Sequence, residues 1–82
     1  MVSHEREFRS YTKDLASSER YVTFLHDITE ESGLDITPQT LRSDEDIETF
    51  ASRLSGRFAA KSIDNYRSVM RKYVAMVQDR AL

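Results

Sequence analysis

Between Lys61 and Val77 the chain reads KSIDNYRSVMRKYVAMV, and its apolar residues recur at the period of an α-helix. Ile63, Tyr66, Met70, Tyr73, Val74 and Val77 fall within an arc of roughly 100°, which Val69 and Met76 widen to about 160°. Lys61, Arg67, Arg71 and Lys72 lie outside that arc. Such a helix must bury one side against other elements and show a cationic other side. Nothing elsewhere alternates with period two over a useful length, so the elements it packs against are expected to be helices too.

The 82 residues are expected to form one small domain. A chain this short buries only about 60–65% of its unfolded surface. It has no cysteine to staple a marginal core, so stability must come from packed apolar faces. No run approaches the roughly 18 apolar residues that span a bilayer. The N-terminal MVSHEREF lacks the apolar stretch of a signal peptide, and a cytoplasmic location is expected.

Charge is segregated along the chain. Residues 1–52 carry five Lys and Arg against twelve Asp and Glu; residues 53–82 carry seven against two. This segregation allows a local cationic surface on a chain of net charge −2. It equally allows acidic and basic helices to pack side by side and neutralise one another.

Four helices are predicted, over residues 3–15, 18–32, 43–55 and 62–79. Phe8, Tyr11, Thr12 and Leu15 give the first a partial stripe, and one continuous helix from Glu5 to Ser32 is an open alternative. Tyr21, Leu25 and Ile28 define the second, with Val22 and Phe24 beside them and Gly33 as its left-handed stop. Leu34 to Arg42 connects, with a short turn started by Thr37-Pro38 and with Leu34, Ile36 and Leu41 tucked against the core. Ser43 and Asp46 form a capping-box variant at the third helix, followed by Ile47, Phe50, Ala51 and Leu54, with Gly56 as the stop. Ser62 is expected to cap the fourth, and Phe58-Ala59 could add a turn. The fold class is all-α, a compact bundle of four to five helices.

Catalysis is not expected. There is no Cys nucleophile and no glycine-rich phosphate loop. His4 and His26 read as surface or boundary residues, and the Asp44, Glu45, Asp46, Glu48 cluster lacks the spacing of a calcium loop. No metal or cofactor is expected. Tyr11, Tyr21, Tyr66 and Tyr73 read as core. What remains is the basic side of the fourth helix. Arg67 and Arg71, spaced i, i+4, project together; Lys61, Ser68 and Lys72 form a second row near Asn65. Ser62 and Lys61 stand at a helix N-terminus, where free N–H groups favour anions. Such side chains suit the phosphates of double-stranded DNA. The plainer reading is a solvated charged face.

The order of these motifs resembles the N-terminal core-binding domain of tyrosine recombinases and phage integrases, a SAM-like orthogonal bundle. Tyr21-Val22-Thr23-Phe24-Leu25 resembles its aromatic-rich helix. Ser43, Asp46-Ile47, Phe50 and Leu54 resemble the capped second motif. Lys61-Ser62-Ile63, Tyr66, Ser68, Met70-Arg71, Tyr73 and Val77 resemble the third. The likeness spans Ser18 to Gln78. It implies a non-catalytic DNA-binding part of a larger DNA-processing protein, working with a downstream catalytic domain. It implies DNA contact near Lys61, Ser62, Asn65, Arg67, Ser68, Arg71 and Lys72. The alternative is a protein-interaction module, monomeric or weakly self-associating. It would dock through its acidic second and third helices or through an apolar rim at Val69 and Met76.

Overall fold

The computed structural model describes residues 1–82 and contains four helices: α1 (Glu5–Tyr11), α2 (Ser18–Ser32), α3 (Asp44–Leu54) and α4 (Ala60–Asp79). α2 and α4 each pack against the other three helices, and α3 packs against both. The all-α expectation holds. One isolated parallel bridge, Val2 with Ile36, is the sole strand-like pairing. No helix is long and apolar enough to cross a membrane.

α4 buries Ile63, Tyr66, Val69, Met70, Tyr73, Val74, Met76 and Val77, the whole stripe that its period defines. Val69 and Met76 are 1% and 0% exposed, so the apolar rim expected there does not exist. The wide stripe is filled because α1, α2 and α3 all reach α4. α3 buries Ile47, Phe50, Ala51 and Leu54 as its i, i+3, i+4, i+7 spacing requires. Its cap is formed by Ser43 Oγ, which accepts from the Asp46 amide at 3.2 Å. The Asp46 carboxylate reaches back one residue beyond the usual box and accepts from the Arg42 amide at 3.0 Å. α2 ends on Gly33 at φ 74°, whose amide donates to the Thr29 carbonyl. Only a residue without Cβ takes that conformation at no cost. Ile36, Pro38 and Leu41 of the following connection are buried, and Thr37 Oγ caps the turn by accepting from the Gln39 and Thr40 amides.

Three boundaries differ from expectation. α1 is shorter than 3–15 and separate from α2. His4 enters it in the left-handed region (φ 59°) after residues 1–3 have run alongside Ile36. Past Tyr11 the Thr12 hydroxyl donates to the Phe8 carbonyl at 2.9 Å and meets the Ser18 hydroxyl at 2.8 Å, which turns the chain. Leu15 therefore lies in the turn, 43% exposed, rather than on a core stripe. α4 starts at Ala60, not after Ser62, and Ala59 gives it no side-chain cap. Its start is set by Phe58, whose ring packs edge-on against Tyr66 at 5.3 Å, a tertiary contact that outweighs the local serine signal. Gly56 follows the end of α3, but α3 stops without a left-handed residue: Ser55 stays right-handed, and the Arg57 and Phe58 amides close on the Leu54 carbonyl.

The far end of α4 closes with paired bonds, Ala81 amide to Gln78 carbonyl at 3.4 Å and Leu82 amide to Val77 carbonyl at 3.0 Å. This is a Schellman turn, and Ala81 takes the left-handed position (φ 53°) usually given to glycine. α1 is strapped down around one fully buried side chain, Phe8, which stacks on Tyr73 at 6.0 Å. Arg9 pairs with Glu19, Tyr11 donates to Asp79, and Arg80 pairs with Glu7. Tyr73 donates its hydroxyl to the Ser3 carbonyl at 2.8 Å, and burial pushes its pKa up to about 12.

Candidate nucleic-acid interface

The polar residues of α4 divide between two flanks. Arg67 and Arg71 lie toward α3. Arg67 makes a bidentate pair with Glu48, through Nε at 3.0 Å and Nη2 at 3.0 Å, and its Nη1 donates to Asp64 at 3.0 Å. Hydrogen bonding to Glu48, then the charges of Glu48 and Asp64, raise the guanidinium pKa further above its ordinary value. Its planar fork is thereby occupied. Arg71 is exposed and opens a shallow depression of about 180 Å³ shared with Asp44, Ile47 and Glu48. The two arginines expected to act together therefore sit beside the acidic first turn of α3.

Asn65, Ser68 and Lys72 lie toward α2. Asn65 and Ser68 line an open groove of about 260 Å³ with Ser17, Arg20, Tyr21, Phe24 and Val69. It continues past Arg20 and Phe24 into a depression of about 220 Å³ that reaches Ser62 and Tyr66. No carboxylate lines either part. Two cations are held here by aromatic faces instead: the Lys72 ammonium lies 5.1 Å from the Tyr21 ring centre, and the Arg20 guanidinium 5.5 Å from that of Phe24. Lys61, exposed in the first turn of α4, stands at the same end as the uncapped helix start. Beyond Tyr66 the field turns negative: burial first, then Asp27 and Glu31, raise the Tyr66 pKa.

Of the seven side chains expected to meet DNA, Ser62, Asn65 and Ser68 line one groove, Lys72 lies beside it over the Tyr21 ring, and Lys61 shares their helix face by its spacing. The structure sets Arg67 and Arg71 on the opposite flank. Tyr66 and Tyr73 are core residues, whereas Tyr11 and Tyr21 are half-buried at its edge. The sequence carries one local signal for Arg20, its i, i+4 spacing to Phe24, at which helical side chains meet. His26 also gained an unforeseen partner, Glu5, with Nε2 2.6 Å from Oε1 across α1 and α2. No cluster of three or more His, Cys, Asp or Glu is disposed to hold a metal ion.

Comparison with family models, with curated proteins and with solved structures finds no match for this chain.

Proposed function

We propose that this chain binds double-stranded DNA through the exposed face of α4, as a non-catalytic domain that acts beside a separate catalytic one. The observation that carries this reading is the disposition of charge. Of the four Lys and Arg on α4, only Arg67 has a carboxylate within 4.0 Å; Lys61, Arg71 and Lys72 have none, in a chain richer in acids than in bases. Asn65 and Ser68 add neutral donors between them. Such a set grips phosphate oxygens and fixes orientation without reading sequence. The motif order that resembles recombinase core-binding domains points to the same helix.

Of the protein-interaction alternative, the version built on Val69 and Met76 is removed by their burial.

Titration of the chain with a short duplex at two salt concentrations tests the proposal. Binding should weaken steeply with salt, with a log–log slope of about −0.9 per phosphate contact. A chain that gives no binding at low salt is not a DNA-binding domain.

A further inference from the structure

We infer that the groove between α2 and α4 is a seat for a single phosphate group, with Arg20 as its principal ligand. This assigns a site to α2, the acidic half of the chain, and it deepens the DNA reading without depending on it. Arg20 is exposed and has no carboxylate within 4.0 Å. Its guanidinium lies over the Phe24 ring at 5.5 Å. No oxygen of the chain accepts a hydrogen bond from that guanidinium, so its N–H donors remain for an anion. Across the groove α4 presents Asn65 and Ser68, spaced i, i+3 and therefore on one side of the helix. Ser17 adds a hydroxyl from the turn before α2.

The lining is one cation and several neutral donors and contains no carboxylate; Asp27 and Glu31 act on Tyr66, in the continuation of the groove. A tetrahedral oxyanion accepts from several directions at once, which matches donors that arrive from two helices. Lys72 over Tyr21 adds positive potential on the same side of α4. The same cations oppose a stacked base as occupant. Single-stranded nucleic acid binds by laying bases on open aromatic faces, whereas Arg20 lies over the Phe24 ring and Lys72 over the Tyr21 ring.

The phosphate could be one of a duplex backbone or that of a small phosphorylated molecule, and one experiment separates them. The ¹⁵N-labelled chain and its Arg20→Gln variant are titrated with inorganic phosphate and, separately, with a short DNA duplex. Arg20 is exposed, so the variant is expected to keep the wild-type dispersion of amide signals. The inference expects the Asn65 side-chain amide and the Ser17 and Ser68 backbone amides to shift with at least one ligand, and the shift to be lost in the variant. If the duplex is the source, Arg20→Gln also lowers the salt slope by about 0.9. If inorganic phosphate moves these signals and the duplex moves no signal of the chain, the seat stands and the DNA reading falls. If the duplex binds while these signals stay still with both ligands and the variant keeps the wild-type slope, the seat is overturned and the DNA reading survives. Signals that stay still with both ligands overturn the seat.

Discussion

On the flank of α4 that faces α3, Arg67 gives three donor nitrogens to Glu48 and Asp64; on the flank that faces α2, Lys72 rests against the Tyr21 ring and meets no carboxylate. The neighbouring helices make this difference. α3 opens with Asp44, Glu45 and Asp46 and then Glu48, while α2 turns Arg20, Tyr21 and Phe24 toward α4. A cation beside carboxylates is already solvated by its own protein. A cation on an aromatic face keeps its charge available to a ligand. Counting basic residues along α4 would rank Arg67 with Lys72, and the packing ranks them apart.

The sharpest way to break this contrast is by charge reversal. Lys61→Glu with Lys72→Glu should abolish duplex binding at low salt, followed by fluorescence anisotropy. The milder Lys72→Gln should lower the salt slope by about 0.9, and Arg67→Gln should leave it nearly unchanged. Equal loss from Arg67→Gln and Lys72→Gln would end the distinction between the flanks. A second experiment disturbs both flanks together through the core beneath them. Tyr73 titrates at about 12 in the folded protein and near 10 when unfolded. Its folded pKa is raised, so its contribution is fully present below about pH 10 and is lost as pH rises toward 12. The loss is about 2–3 kcal/mol, measured by chemical denaturation, and Tyr73→Phe should flatten that part of the pH profile.

Next in size is release of the masked arginine. Glu48→Gln with Asp64→Asn should steepen the salt slope by up to about 0.9 beyond a charge-matched control, Glu45→Gln with Asp44→Asn. An equal change in the control would mean that general repulsion, and not the Arg67 clamp, separates the flanks. The smallest effect leaves the contrast intact. Ala81→Gly relieves the left-handed alanine of the Schellman turn and should stabilise the fold by about 1 kcal/mol. That corresponds to a melting temperature roughly 4–8 °C higher, with duplex affinity unchanged.

The parts of this molecule legible in the sequence are those set by local periodicity. The stripe from Ile63 to Val77, the α3 positions Ile47, Phe50, Ala51 and Leu54, and Gly33 each follow from spacing or from backbone sterics, and the structure buries or uses them as read. The start of α4 was not legible. Ser62 is a good cap by type, but the contact of Phe58 with Tyr66 joins residues eight apart and moves the helix start to Ala60. α1 misled for the opposite reason. Its stripe is weak because Phe8 alone is buried, so nothing periodic marks where it ends. For the candidate site, the common face of Lys61, Asn65, Ser68 and Lys72 follows from 100° per residue. The pairing of Arg67 with Glu48, 19 residues away on another helix, has no local signature.

The strapping of α1 has a consequence for the order in which the molecule loosens. Seven residues are too few for a helix to persist in water, where about 12–15 are needed. α1 is held by Phe8 and by exposed side-chain pairs to Glu19, His26 and Asp79. It should open as a unit of its own, below the free energy of global unfolding. Amide hydrogens of Phe8 and Thr12, bonded within or just past α1, will then exchange with solvent well before those of Val69 to Val77. The side chains that α2 and α4 contribute to the groove belong to the slow-exchanging body, so the first helix can breathe while the groove keeps its shape.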